Sequence, residues 1–177
     1  MPRVPVADFE PQLKKRLEEL WGTPPNLYKA LGNHPELVAA WTEFSRTLRY
    51  DTRTPRALRE LVILRGAQLM GSEYEWAQHL SMARKAGVRE AQIGSLSAWR
   101  TSSQFDAREK AALALGEAVT LGRVSDEVHA MAMKEFDAHD YVEIALVAAF
   151  YAMVGRMLDA MGVELEPEMR SYAPKLA

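Results

Sequence analysis

Not one of the 177 residues is a cysteine. That absence excludes disulfides, thiolate metal sites and any thiol redox step carried on this chain. An excess of one charge is missing too: 22 Lys and Arg stand against 24 Asp and Glu, a formal net of -2. With no large field of either sign, neither nucleic acid nor a membrane surface is an expected partner. The longest purely apolar run, Ile144 to Val154, is about half of the ~20 residues that a bilayer span needs. It reads as a buried core or interface helix. Met1 to Glu10 hold no apolar stretch and no small-residue cleavage site, so no secretory signal is visible and a cytoplasmic location is expected. Glycine-rich phosphate and dinucleotide loops are absent, as is any HExxH, and no cofactor is expected.

No stretch alternates apolar and polar residues for long enough to make a strand, so the chain reads as all-α. Its length suits one domain, residues 1–177. Glycine and proline fall between periodic segments and mark the helix ends. Helices are expected over Glu10 to Trp21, Leu27 to Leu31, Pro35 to Leu48, Pro55 to Met70, Ser72 to Ala86, Glu90 to Trp99, Asp106 to Leu121, Asp126 to Phe136 and Tyr141 to Met161. Ser72 with Glu75 makes an S-x-x-E capping box, and Asp140 with Glu143 repeats that logic for the last helix.

The block Leu58 to Gly87 is informative because ionisable groups sit inside an otherwise apolar helix pair. Glu75 and His79 are four apart and share one helical face, which continues through Met82, Ala83 and Ala86. Glu60 lies one helix earlier beside Leu61-Val62-Ile63-Leu64, and a tight turn at Gly71-Ser72 would bring it to the same place. Two carboxylates and an imidazole in a dry site shift one another's protonation, which is how a general acid and base are tuned near neutral pH.

These residues carry a resemblance. The string GSEYEWAQH, Gly71 to His79, is similar to the G-x-E-x-E…H pattern of the decarboxylase branch of the carboxymuconolactone decarboxylase and alkyl hydroperoxidase D-like (AhpD-like) superfamily. PNLYKALGNHPELVAAW, Pro25 to Trp41, resembles the leading helices of the same branch. In the peroxidase branch a glutamate, a C-x-x-C pair and a histidine form a proton relay to a redox thiol. Aligned on spacing, this chain offers Glu60, Ser72, Glu75 and His79 at those four positions, so both thiols are gone and thiol peroxidase chemistry is excluded. The resemblance implies an AhpD-like bundle of seven to nine helices. It places a family core near residues 25–94 behind an N-terminal helical extension, 1–24. It also implies a homo-oligomer, trimer or hexamer, with sites at or near the interfaces.

The expected activity is cofactor-independent proton transfer on a small carboxylated or lactone substrate. His79 would be the acid or base, Glu60 its orienting partner, and Glu75 a tuning or substrate-binding group; Trp76, Tyr74 and Arg65 would contact substrate. Arg65 and Arg84 are candidates to stabilise developing negative charge. Plainer readings stand beside these. Glu75 could be spent on the cap, which is worth roughly 0.5–2 kcal/mol. Glu60 could pair with Arg56, Arg59 or Arg65, His79 could be a satisfied core residue, and Trp76 and Tyr74 could be packing. Two ligands at i and i+4 are fewer than a zinc site wants, so no metal is expected. A non-catalytic AhpD-like oligomeric scaffold or small-ligand-binding protein is the alternative function.

Overall fold

A computed structural model describes residues 2–173; residue 1 and residues 174–177 of the expected 1–177 unit lie outside the described residues. Those described residues form nine α-helices and two short 3-10 segments, with no strand. The helices are α1 Pro11–Trp21, α2 Asn26–Leu31, α3 Pro35–Tyr50, α4 Arg56–Met70, α5 Glu73–Lys85, α6 Glu90–Ser95, α7 Ala107–Thr120, α8 Asp126–Glu135 and α9 Ala138–Met161. The 3-10 segments are Leu96–Ala98, which completes the expected Glu90 to Trp99 piece, and Pro167–Tyr172 near the C-terminus.

Helix α4 is the axis of the fold, packing on α5, α7 and α9. It is apolar on nearly every side, with Leu58, Leu61, Val62, Ile63, Leu64 and Ala67 all buried, which is the pattern of a helix surrounded by others. Two glycines let partners approach it closely. A Cβ at Gly116 of α7 would lie 2.6 Å from Val62 Cγ1, and one at Gly155 of α9 would lie 2.9 Å from Met70 Cε. Ile144, Val147, Phe150, Tyr151 and Val154 of α9 join Val62, Ile63 and Leu115 in the main core. On another face of α4, Leu61 and Leu64 meet Trp76, Leu80, Leu96 and Trp99 in a second cluster. By length and composition α9 could also cross a bilayer. Here one side of it is core, while Val142, Leu146 and Met153 stay exposed.

Helix α4 ends at Gly71, whose φ of 63° is left-handed, and Ser72 N–H reaches back to Ala67 O at 2.9 Å. The chain therefore reverses within two residues and lays α5 along α4. The last helix starts differently from the sequence expectation: Asp137, not Asp140, caps it, accepting from Asp140 N–H at 2.9 Å. Asp140 and Glu143 hold the loop before α4 instead. Asp140 takes the Arg53 and Arg108 guanidinium groups, and Glu143 accepts the Arg53 and Thr54 N–H groups at 2.7 and 2.8 Å.

The Gly116 contact sets a prediction. Alanine gains about 1 kcal/mol in helix propensity, but overpacking a buried crossing costs about 1–3 kcal/mol, so Gly116→Ala should destabilise the fold. In a Val62→Ala background the obstructing methyls are gone, and the same substitution should become neutral or stabilising in urea unfolding. An equal loss in both backgrounds would show that the α4–α7 contact is not the cause.

Candidate active site

The α4–α5 reversal puts Glu60 opposite His79. The two are 0% and 2% exposed, and Glu60 Oε2 lies 2.8 Å from His79 Nδ1. Arg56, one turn before Glu60 on α4, forms an ion pair with its other oxygen and also reaches Met82 Sδ. Burial by itself would raise the Glu60 carboxyl, but the His79 ring and the Arg56 guanidinium outweigh it and hold Glu60 below the usual range. An ionised Glu60 assigns the imidazole proton to Nδ1 and leaves the Nε2 lone pair free.

His79 Nε2 faces Glu75 Oε2 at 3.8 Å. Glu75 is 3% exposed, and burial pushes its carboxyl up to about 7, His79 and Arg49 drawing it the other way. Its main-chain N–H approaches Ser72 Oγ at 3.4 Å, while its side chain does not return the bond. Only half of the expected capping box forms, and the carboxyl is turned to the site, where Oε2 is buried without a hydrogen bond. Tyr151 of α9 sets its ring edge-on to His79, centroids 4.6 Å apart, and its hydroxyl accepts from Arg49 Nε at 3.4 Å.

Glu75, His79, Tyr151 and Arg49 line one cavity of about 30 Å³, together with Trp21, Tyr28, Trp41, Tyr74, Met82 and Phe150. Space of that size holds a water or two. Glu60 stands behind His79 and is not part of the wall. Of the sequence-derived candidates the fold thus gathers Glu60, Glu75, His79 and Tyr74. Tyr74 donates from its hydroxyl to Glu166 Oε1 at 2.8 Å and accepts from Leu27 N–H at 3.3 Å.

Trp76 and Arg65 are not brought there. Trp76 is two positions from Tyr74, about 200° around an α-helix, and packs into the second core cluster. Arg65 pairs with Glu117 at 2.9 Å and Gln68 at 3.1 Å, on the face of α4 that meets α7. Arg84 is held by Glu90 at the surface. The cation at the cavity is Arg49, which sequence reasoning passed over because it lies in a different helix. Tyr151 was hidden inside the apolar run of α9; a hydroxyl in such a run needs a partner and was the available signal.

One further group, His139, Asp140 and Glu143, is close enough together to hold a cation. The Asp140 and Glu143 oxygens are already taken by Arg53, Arg108 and two backbone N–H groups, so this cluster is a structural clasp.

The family model for the carboxymuconolactone decarboxylase family matches residues 35–118, the segment that contains Glu60, Glu75 and His79. Uncharacterized protein YdfG of Bacillus subtilis (strain 168) is 36% identical over 110 residues, covering 60% of this chain and 75% of that protein. The chain belongs to the carboxymuconolactone decarboxylase family. Solved structures agree at the level of fold. An AhpD-core, peroxidase-related protein of Ralstonia eutropha JMP134 superposes with a TM-score of 0.81 at 18% identity, covering 95% of this chain and 94% of its own. A variant of the debrominase Bmp8, solved with 2,3,4-tribromopyrrole, gives 0.80 at 21%, covering 92% and 89%. The AhpD-like helical bundle read from the sequence is the fold of this family member.

The raised Glu75 carboxyl makes stability pH-dependent in a defined window. Both folded and unfolded chains hold the proton below the ordinary value near 4.5, and the folded form surrenders it only near 7. The stabilisation is therefore complete at the acid side and lost as pH rises through about 7, by about 3 kcal/mol at 1.36 kcal/mol per tenfold. Glu75→Gln should abolish that slope, so that the urea-unfolding free energies at pH 5 and pH 8 differ by about 2–3 kcal/mol less than in the parent. An unchanged slope would place the Glu75 carboxyl in water.

Proposed function

We propose that this family member is a cofactor-independent enzyme that moves protons at carbon in a small carboxylated or lactone substrate, in the manner of a carboxymuconolactone decarboxylase. The observation that carries the reading is the buried Glu60–His79 hydrogen bond with a neutral-leaning Glu75 on the open side of the ring. Glu60 orients the imidazole and fixes its tautomer. Glu75 and His79 Nε2 meet substrate at the cavity, and one proton is available between them.

In decarboxylation the bond from carbon to carboxylate breaks and its electron pair stays on the carbon. Where that carbon is conjugated to a lactone carbonyl, the charge spreads to the carbonyl oxygen. Carbon dioxide leaves, and the Glu75–His79 pair delivers a proton to the carbon before being reprotonated from solvent. The developing negative charge needs a cation, and Arg49 is the group placed for it. With Cys absent, no thiol takes part.

A second reading, a scaffold that binds a small ligand without turning it over, draws on the size of the cavity, which is too small for an organic molecule until a wall moves. The family expectation of self-association also belongs here. Val142, Leu146, Ala149 and Met153 recur at helical spacing along the exposed side of α9, and burying them against a second copy would remove that apolar stripe from water.

Two measurements test these points. Carboxymuconolactone and a panel of small carboxylated lactones, incubated in D2O, should release carbon dioxide and gain deuterium at the vacated carbon. His79→Ala should lower the rate by about 10²–10⁴-fold with circular dichroism unchanged; turnover at the parent rate would remove His79 from the chemistry, and binding without any turnover would favour the scaffold. For assembly, sedimentation should give a mass well above the 19.9 kDa of one chain, falling toward it in Leu146→Glu. A parent mass near one chain would retire the oligomer.

A further inference from the structure

Buried polar groups are almost always hydrogen-bonded, so unsatisfied ones around a single hollow ask for an explanation. Among the described residues Trp21 Nε1 and Glu75 Oε2 are buried without a partner, and both residues line the small cavity. Arg49 lines it as well. Its Nε is spent on the Tyr151 hydroxyl and its guanidinium lies 4.5 Å from the Trp21 ring centre. Neither terminal nitrogen of Arg49 has a hydrogen bond, and no carboxylate stands within 4.0 Å of it, among the described residues. Arg53, Arg56, Arg65, Arg100 and Arg108 each have an acidic partner, and Arg59, buried without one, donates instead to Thr54 and to the Arg49 carbonyl.

Arg49, with two terminal nitrogens free of hydrogen bonds, and Trp21, with its unpartnered indole N–H, thus both belong to the lining, beside aromatic walls from Tyr28, Trp41, Tyr74 and Phe150. Glu75, kept neutral by burial through most of the range below pH 7, does not cancel the arginine charge. A guanidinium fork matches the two oxygens of a carboxylate, and aromatic walls match a flat conjugated body.

We infer that Arg49 and the Trp21 indole N–H bind the carboxylate of a small planar, aromatic or conjugated acid, whose body lies among the aromatic walls beside Glu75 and His79. This names the substrate class for the activity proposed above and rests on that reading only for what happens after binding. Entry requires the Trp21 side to give way. An outer groove of about 290 Å³ shares Trp21, Pro25 and Gln78 with the cavity, so swinging the indole aside joins the two spaces. Gly22, with a φ of 69°, follows Trp21 directly and supplies the backbone freedom at that joint. The N-terminal helix α1 then forms part of the binding site by supplying its cover.

Titration calorimetry of the intact protein at about pH 5.5, where Glu75 is protonated and benzoate ionised, with sodium benzoate and with benzamide, its neutral isostere, tests the inference. The parent should bind benzoate in clear preference to benzamide. Arg49→Gln should weaken benzoate about thirtyfold or more and bind the two alike. Trp21→Phe, which keeps a ring and removes the N–H, should weaken benzoate by less. Arg49→Lys keeps the charge without the fork and should lie between parent and Gln; it also covers the case in which Arg49→Gln melts before titration. Benzamide binding as well as benzoate in the parent, no benzoate binding, or benzoate binding indifferent to both Arg49 variants would each overturn the assignment. His79→Ala, which alters the wall beside the bound ring but not the Arg49 fork, should keep the preference for benzoate over benzamide. If His79→Ala also turns substrate over normally, the proton-transfer reading falls and the anion site stands; if benzoate is ignored while His79→Ala is inactive, the reverse holds.

Discussion

A carboxylate with 0% exposure survives in this fold because an imidazole and a guanidinium are brought to it at the same time. Burying an unpaired Glu60 would cost several kcal/mol, so the α4–α5 reversal, the Arg56 rotamer and the His79 ring position are bound together as one condition. Remove any of the three and the other two lose their reason to be where they are. The site is in this sense continuous with the core: Leu61 and Leu64 of α4 pack into the second cluster while Glu60, directly before Leu61 in sequence, meets His79. Chemistry and stability draw on the same helix pair.

The helices were legible because their ends carry local physics. Glycines at 71 and 162 adopt the left-handed conformation that stops a helix, and Ser72, Asp106 and Ser125 accept N-terminal N–H groups. Where several acids stand near a helix start, local rules cannot choose between them. Asp137 won the cap of α9 because Asp140 and Glu143 were claimed by Arg53, Thr54 and Arg108, contacts made across the fold. The same limit governs the site. Glu75 and His79 were found by a spacing within one helix, and Glu60 by a single tight turn. Arg49, Tyr151 and Trp21 reach the cavity from three other helices, and no periodicity along the chain connects them. Trp76 and Arg65, conversely, were near in sequence and turned to another face.

The N-terminal helix acquires a role from the same geometry. Leu17 packs with Tyr28 and Val38, fixing α1 over the α2–α3 pair, and Trp21 at its end stacks on Arg49. The family match begins only at residue 35, so the cover of the cavity comes from outside the matched segment while the acid–base groups come from inside it.

Serine and glutamate, in place of the thiols the resemblance would suggest, have a consistent physical outcome. At the two positions where the resemblance would put thiols stand Ser72 and Glu75. Ser72 is used up at the helix start, and Glu75 keeps an ionisable proton in the place nearest His79 Nε2. A thiol there would carry both a proton and an electron pair for oxidation; a carboxyl carries only the proton. Because burial lifts that carboxyl to about 7 while His79 and Arg56 hold Glu60 low, the two acids are driven apart in protonation. One therefore stays ionised where the other keeps its proton below about pH 7. The described site thus holds two carboxyls of opposite protonation on either side of one imidazole and no thiol.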